Sequence, residues 1–194
     1  MKPLAFVWPY ALVFWVVFFW AYTREFPIIR RAQKDQTESD SKSLQVIMFG
    51  QSIAFFAAFA FAWIPALQFP AALQMTAFYL GIALVISGSL LRRHCFRMLG
   101  TSFTGDVRAS SDQKVIDRGA YRILRHPAYT AGIILNTGVA VALGSWLGTV
   151  LMAVASFAVY VNRISVEERK LLSVIGEPYR AFMITRKRMI PFVY

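Results

Sequence analysis

The sequence predicts an all-α, polytopic membrane protein with about five transmembrane helices, the last two of which form a helical hairpin. Hydrophobic residues make up 57% of the 194 residues and charged residues only 16%, whereas a soluble domain carries about 25% charged residues. Uncharged runs long enough to cross a bilayer alternate with polar segments that hold the basic residues. We expect residues 1–194 to form a single membrane domain.

The first two helices are predicted from two uncharged runs separated by a polar loop. Residues 3–22 carry no charge and match one bilayer thickness of helix, which is kinked or started at Pro9. Residues 24–42 are polar and mixed in charge, which indicates a loop. Residues 44–67 form the second run, whose polar Gln51-Ser52 pair is expected to face other helices.

A short connection and a third run complete the N-terminal half, residues 1–91. The Gln68-Phe69-Pro70 sequence is typical of a tight connection. Residues 71–91 are predicted to form the third helix, with Gly81 and Gly88 as small residues that let a neighbouring helix approach closely.

The C-terminal half, residues 92–194, contains an apolar stretch that is too long for one span. Residues 128–161 carry no charge and would extend about 50 Å as a single helix, whereas the hydrocarbon core is about 30 Å thick. The Gly144-Ser145-Trp146 sequence supplies a turn and an interfacial aromatic side chain. The stretch therefore predicts a helical hairpin, preceded by a polar segment over residues 92–125 and followed by a cytoplasmic tail.

The distribution of the basic residues predicts the orientation of the chain. They lie in the first loop, in residues 92–125 and in the tail from Arg163, while the second connection and the hairpin turn have none. With five spans and the N-terminus outside, every basic residue except Lys2 is cytoplasmic, as the positive-inside rule requires. Topology and contact with anionic lipid head groups then explain the net charge of +11, and nucleic-acid binding is not expected.

Metal coordination is not expected either. Cys95 is the single cysteine, and His94 and His126 are the two histidines, which are too few and too far apart for a metal cluster. Cys95 has no partner for an internal disulfide, and we interpret it as a small residue at a helix end.

Two polar segments that flank the hairpin carry unusual clusters of residues, and the first spans residues 117–129. In it, Gly119 permits close backbone approach and Pro127 suits the first turn of the fourth helix. His126 and Tyr129 add hydrogen-bond donors and aromatic rings, and the helix start could bind an anionic group. Composition alone favours a simpler interpretation, an interfacial anchor with Arg and Tyr at head-group depth.

The second cluster begins at Arg163 and includes Glu167 and Glu168. Arg163 and Glu167 are four residues apart and share one face of a helix. They form either an exposed ion pair worth about 0.3–0.5 kcal/mol or a site in which a partly desolvated Arg163 binds a carboxylate or phosphate bidentately. The residues alone leave both interpretations open.

Several residues of both clusters occur at a characteristic spacing across the apolar hairpin. They are Leu99-Gly100, Gly119-x-Tyr121-x-x-x-Arg125-His126-Pro127-x-Tyr129-x-x-Gly132, Arg163-x-x-x-Glu167-Glu168-x-x-Leu171, Gly176-x-x-Tyr179 and Pro191. With these motifs, residues 88–194 resemble the isoprenylcysteine carboxyl methyltransferases and phospholipid methyltransferases. The first two helices match that family only in being hydrophobic.

The resemblance implies a membrane-embedded, all-helical methyltransferase that uses S-adenosylmethionine, and the sequence has no Gly-rich strand–turn–helix motif that would indicate a Rossmann-type site. By position, it implies cofactor contacts from Gln113, Lys114, Val115, Ile116, Tyr121, His126, Pro127, Ala128, Tyr129 and Glu167. Arg163 falls at the position of a substrate-binding, catalytically important arginine, and Glu167 is expected to be catalytic with it. Arg186 and Arg188 are weaker candidates.

The acceptor is expected to be lipidic or prenylated and to enter laterally from the membrane, while the cofactor enters from the cytoplasm. A carboxylate acceptor is ionised at neutral pH and needs no base, as in carboxyl O-methylation. An amine or hydroxyl acceptor, as in phospholipid N-methylation, needs a base, for which Glu167, Glu168 and His126 are candidates. Two further hypotheses are a nicotinamide-dependent reductase related to the membrane sterol reductases and a non-enzymatic membrane scaffold.

Overall fold

The part of the chain that the structure describes contains six α-helices. The computed structural model describes residues 2–23, 38–99 and 116–190, and for residues 38–41 the backbone alone. The helices are α1 (Tyr10–Thr23), α2 (Glu38–Phe61), α3 (Ala71–Leu99), α4 (Pro127–Leu143), α5 (Trp146–Ile175) and α6 (Glu177–Thr185). Short 3-10 turns occur at Leu4–Phe6, Pro65–Leu67 and Gly119–Arg122. Every regular element in these ranges is helical, which confirms the predicted all-α class.

Among the described residues, three helices are long and apolar enough to cross a membrane. They contain the segments Lys42–Phe61, Ala71–Leu99 and Trp146–Ile175. Helices α1 and α4 are apolar but shorter, with 14 and 17 residues. That these two shorter helices also span the membrane, which would give five spans in all, stays a prediction.

Helices α3 and α4 pack with their backbones in close contact. A Cβ atom on Gly88 would lie 2.6 Å from the backbone nitrogen of Leu135, and one on Gly138 would lie 2.8 Å from that of Val85. A Cβ atom on Gly81 would meet the backbone of Ala142. The predicted role of Gly81 and Gly88 is therefore confirmed, because only a residue without a side chain allows this approach.

Helices α2 and α5 pack side by side through small and polar residues. Gly50 faces Val159, whose Cγ1 atom would lie 2.8 Å from a Cβ at that position. The Gln51 side-chain nitrogen donates a hydrogen bond of 3.2 Å to the Ser156 hydroxyl. The prediction that the Gln51-Ser52 pair faces other helices is right for Gln51 and wrong for Ser52, which is exposed. Ser52 lies about 100° further around α2 than Gln51, which turns its side chain out of the contact with α5.

Helix α1 begins directly after Pro9, as predicted, and joins α2 and α4 through aromatic and polar contacts. The Trp15 ring stacks on Phe59 of α2 at a centroid distance of 6.0 Å. The Tyr22 hydroxyl donates a hydrogen bond of 2.7 Å to Asn136 Oδ1 of α4. These contacts position the N-terminal helix against the rest of the bundle.

The two short connections meet at one end of the bundle. Gly144 ends α4 with a positive φ of 85°, which favours glycine. The Ser145 hydroxyl accepts a hydrogen bond from Gly148 N at 3.1 Å, capping α5, and donates one of 2.8 Å to Leu67 O. The predicted hairpin turn is confirmed, and so is the tight connection before α3, which begins at Ala71.

At the opposite end, three helices extend beyond the boundaries that the apolar runs predict. Helix α2 starts at Glu38 inside the predicted loop, α3 continues past Leu91 to Leu99, and α5 continues through Arg163 to Ile175. The predicted boundaries were wrong here because hydropathy marks where a helix leaves the apolar layer. Arg, Lys and Glu are good helix formers, so the helix itself continues.

Candidate active site

The first polar cluster folds as a tight turn that leads into α4. Gly119 has a positive φ of 56°, and its backbone packs against the Met98 side chain, which confirms the predicted close approach. His126 directly precedes α4 without a capping hydrogen bond from its side chain, and Pro127 occupies the first turn of that helix, as predicted. The 3-10 turn and the proline thereby bring His126 and Tyr129 to the end of the hairpin that carries the second cluster.

A chain of polar contacts links three helices at this end. The Tyr129 hydroxyl of α4 donates a hydrogen bond of 2.8 Å to Glu167 Oε2 of α5, and the Arg163 guanidinium interacts with the same hydroxyl. Arg163 Nη1 donates a hydrogen bond of 2.6 Å to the Ser43 hydroxyl of α2. Arg163 is only 6% exposed, so it does not form the exposed ion pair that was one of the two interpretations.

Aromatic rings and a second arginine lie beside this chain. The Tyr129 and Tyr160 rings lie 5.0 Å apart between centroids. A Cβ on Gly132 would lie 2.6 Å from the Tyr160 hydroxyl and 2.9 Å from Arg92 Nη1. Arg92 Nη1 also donates a hydrogen bond of 2.8 Å to Ala128 O. Gly132 therefore leaves room for these two polar groups next to Tyr129.

Glu168 points to a different set of partners from Glu167. Its side chain is buried and forms ion pairs of 3.2 Å with Arg125 Nε and 3.0 Å with Arg188 Nη2. His126 Nε2 lies 3.2 Å from Glu168 Oε1. Both carboxylate oxygens of Glu168 are thus engaged, one with Arg125 and His126 and the other with Arg188.

The residues after α6 run back across the first cluster, and we call Arg186–Ile190 the C-terminal strap. Arg125 N donates a hydrogen bond of 2.8 Å to Lys187 O, and His126 N donates one of 2.9 Å to Arg188 O. The Thr130 hydroxyl donates a hydrogen bond of 2.7 Å to the carbonyl oxygen of Met189, which is fully buried. The strap is therefore an integral layer of this end of the molecule.

A small apolar cluster lies beside the start of α4. Cys95, Tyr121 and Ala128 are buried together, with Ile116 packed against them. Burial raises the pKa of the Tyr121 hydroxyl well above its usual range, so this side chain stays neutral. The interpretation of Cys95 as a small residue near a helix end agrees with its complete burial near the end of α3.

A second apolar cluster surrounds the polar chain, and we call it the α5 apolar cluster. It contains Val159, Tyr160, Ile164 and Met189, against which Ile47, Tyr129, Ile133 and Val161 pack. Arg163 lies within the same stretch of α5 as these residues. A buried cation thus lies beside a buried apolar cluster to which α2, α4, α5 and the C-terminal strap contribute.

The structure brings most of the predicted site residues together. Tyr121, His126, Pro127, Ala128, Tyr129, Arg163 and Glu167 all lie at this end of the bundle, and Ile116 borders it. Gln113, Lys114, Val115 and Pro191 lie outside the described residues. Arg186 forms an ion pair of 3.2 Å with Asp117. In the described ranges, no group of three His, Cys, Asp or Glu side chains could hold a metal ion.

Two features of the site were missed by sequence reasoning. Ser43 is an ordinary residue at the start of an apolar run, and no local pattern marks it as a partner of Arg163. Glu168 was considered only as a candidate base. Its position next to Glu167 was a usable signal, because adjacent helical residues point about 100° apart and so reach different neighbours.

The chain is similar in sequence and in fold to known proteins. The phospholipid methyltransferase family model matches residues 76–177, just over half of the chain. Protein-S-isoprenylcysteine O-methyltransferase B of Arabidopsis thaliana is 30% identical over 115 residues, covering 58% of this chain and 58% of that protein. Protein-S-isoprenylcysteine O-methyltransferase of Tribolium castaneum is 29% identical over 116 residues, covering 59% and 41%.

A solved structure is similar over a larger share of the chain. The eukaryotic intramembrane Ras methyltransferase, an isoprenylcysteine carboxyl methyltransferase, has a TM-score of 0.61 and 26% sequence identity, and the match covers 90% of this chain and 63% of that one. The chain therefore spans less than two thirds of the length of these relatives. The protein is therefore an integral membrane protein that belongs to the phospholipid methyltransferase family.

Proposed function

We propose that the protein transfers a methyl group from S-adenosylmethionine to the carboxylate of a lipidic or prenylated acceptor. The observation that carries this proposal is the buried Arg163, which bonds to Ser43 and borders the α5 apolar cluster. A desolvated guanidinium beside a cluster of apolar side chains suits an acceptor with an anionic head and an apolar tail. The isoprenylcysteine O-methyltransferases among the relatives support the same acceptor class.

The residues around Arg163 fit the proposed cofactor. S-adenosylmethionine is cationic at its sulfonium, which suits the Glu167 carboxylate and the Tyr129 ring. Its adenine suits the apolar cluster formed by Ile116, Tyr121 and Ala128. We propose further contacts from the other residues that family resemblance implies, namely Gln113, Lys114, Val115, His126 and Pro127.

The chain's own residues bind and orient in this reaction. When bound, S-adenosylmethionine supplies a methyl group already activated for displacement, so positioning provides much of the acceleration. Arg163 holds the acceptor carboxylate, and its burial keeps competing water away. The carboxylate is ionised at neutral pH and needs no base. Its attraction to Arg163 falls once it becomes a neutral ester, which favours release of the product.

An amine acceptor is served less well by this geometry. A protonated amine would be repelled by Arg163, and His126 and Glu168 are engaged with each other at 3.2 Å. Glu167 already accepts a hydrogen bond from Tyr129. Family membership favours methyl transfer over the nicotinamide-dependent reductase and the non-enzymatic scaffold.

We also propose that the site faces the cytoplasm. The two polar clusters, the strap and the basic extensions of α3 and α5 lie at one end, and the uncharged connections meet at the other. By the positive-inside rule, the basic end is cytoplasmic and the N-terminus is outside.

The proposal is tested with purified protein in lipid nanodiscs. Labelled S-adenosylmethionine is supplied with N-acetyl-S-farnesylcysteine, with the tail-free N-acetyl-S-methylcysteine, or with phosphatidylethanolamine. We expect a base-labile methyl ester on the farnesylated acceptor, little product on the tail-free one, and calorimetric binding of S-adenosylmethionine that Glu167→Ala weakens. Label on phosphatidylethanolamine alone would instead identify an N-methyltransferase. Full activity on the tail-free acceptor would contradict lateral entry of a lipidic acceptor.

A further inference from the structure

The face of α2 that packs on α5 is an antiparallel ladder of contacts. Gly148 lies against Ala58, whose Cα would be 3.2 Å from a Cβ on that glycine. The next contacts along the ladder pair Gln51 with Ser156 and Gly50 with Val159. Residue numbers decrease along α2 where they increase along α5, so the two helices are antiparallel. These contacts fix the register of the two helices within the apolar layer. Continued toward the basic end, this register brings Ser43 to Arg163.

The contact between Ser43 and Arg163 is short and buried. The Ser43 hydroxyl accepts from Arg163 Nη1 at 2.6 Å, and the two residues are 4% and 6% exposed. An arginine binds a carboxylate through a planar fork, so the orientation of the guanidinium plane decides which way the bound carboxylate points. The hydrogen bond that Nη1 donates to Ser43 on the packed helix α2 restricts the orientation of that plane. Ser43 also lies outside residues 76–177, the part that matches the family model.

We infer that Ser43 is a positioning residue, whose hydroxyl fixes the orientation of the Arg163 guanidinium for binding of the acceptor carboxylate. This inference rests on the proposed function. Ser43 acts through Arg163 and does not touch the cofactor, so its loss weakens acceptor binding and leaves S-adenosylmethionine binding unchanged. The N-terminal half of the chain thereby contributes to acceptor recognition.

The first test measures methyl transfer to N-acetyl-S-farnesylcysteine by the wild-type protein, Ser43→Ala and the control Ser52→Ala. Ser52 lies on the same helix and is exposed. We expect Ser43→Ala to raise the acceptor KM about tenfold, as loss of one charge-assisted hydrogen bond does, while the calorimetric Kd for S-adenosylmethionine stays within about twofold. Ser52→Ala should have the same acceptor KM and the same Kd for S-adenosylmethionine as the wild-type protein.

The second test isolates the hydroxyl and its route of action. Ser43→Thr and Ser43→Val have nearly the same shape but differ in the hydroxyl, so Thr should retain a lower acceptor KM than Val even if Ser43→Ala does not fold. In an Arg163→Lys background, Ser43→Ala should raise the acceptor KM little further, because lysine lacks the planar guanidinium that the hydroxyl orients.

Three results would overturn the inference in an active protein. They are an unchanged acceptor KM in Ser43→Ala, equal KM values for the Thr and Val variants, or the same tenfold change in the Arg163→Lys background. Absence of methyl transfer by the wild-type protein to any acceptor, with no binding of S-adenosylmethionine, would overturn the proposed function itself and this inference with it.

Discussion

Glu167 and Glu168 are neighbours on α5, yet they belong to two different regions of the molecule. Glu167 accepts a hydrogen bond from Tyr129 on the side of the site that holds Arg163. Glu168 lies on the side of the C-terminal strap, where it meets Arg125, His126 and Arg188. The two carboxylates have the same chemistry and differ by one step of about 100° around the helix.

The difference shows how adjacent residues of one helix contribute to two separate clusters of contacts. On the Glu167 side, the polar groups lie beside the buried α5 apolar cluster. On the Glu168 side, a buried carboxylate is compensated by cations from the turn before α4 and from the strap. We therefore expect changes at Glu167 to alter activity and changes at Glu168 to alter stability.

The largest expected effect is on stability, in Glu168→Ala. Removing one partner of a buried ion pair leaves the remaining charges uncompensated, which costs about 3 kcal/mol. For a chain of this size, that lowers the unfolding temperature by roughly 10 °C, measured by thermal unfolding in detergent. Unfolding at the wild-type temperature would show that the strap does not depend on this carboxylate.

The next effect, in Glu167→Gln, should appear in activity instead. The amide keeps the shape of the glutamate side chain and still accepts the hydrogen bond from Tyr129. It lacks the negative charge, and loss of a charge-assisted interaction costs about 2 kcal/mol. We expect kcat/KM to fall about thirtyfold with the unfolding temperature nearly unchanged. A loss of stability equal to that in Glu168→Ala, measured side by side, would remove the contrast between the two carboxylates.

A smaller effect is expected for Tyr129→Phe, which removes only the hydroxyl that reaches Glu167. The ring and its contact with Tyr160 at 5.0 Å remain. Loss of one hydrogen bond of about 1.4 kcal/mol predicts a tenfold decrease in kcat/KM. Tyr79→Phe is a suitable control because Tyr79 is 55% exposed on α3. Equal activities of the two variants would argue against a role for the Tyr129 hydroxyl.

The smallest effect is expected at the outer end of the strap. Arg186 pairs with Asp117 at 3.2 Å, with the Asp117 side chain about half exposed, and exposed ion pairs contribute about 0–1 kcal/mol. Arg186→Gln should therefore change the unfolding temperature by no more than about 4 °C and leave the acceptor KM as it is. An acceptor KM raised as in Ser43→Ala would place Arg186 in the acceptor site and extend that site to the strap.

The sequence by itself determined the class of the protein and marked the residues of the candidate site. Its apolar runs are too long and too free of charge for a soluble domain. Gly144 and Pro127 marked the end of one helix and the start of another, because their backbone preferences are local properties. The spacing of Arg163, Glu167 and the residues around His126 identified both polar clusters before the structure placed them at one end of the bundle.

Only the tertiary structure decided which polar groups meet. The partner of Arg163 is Ser43, 120 positions earlier, and this pairing follows from the register of α2 on α5. The different roles of Glu167 and Glu168 follow from what packs on each side of α5, and the strap covers His126 through backbone hydrogen bonds that no side-chain pattern encodes. Periodicity specifies which face of a helix is buried, whereas the neighbour on that face depends on packing between segments far apart in the chain.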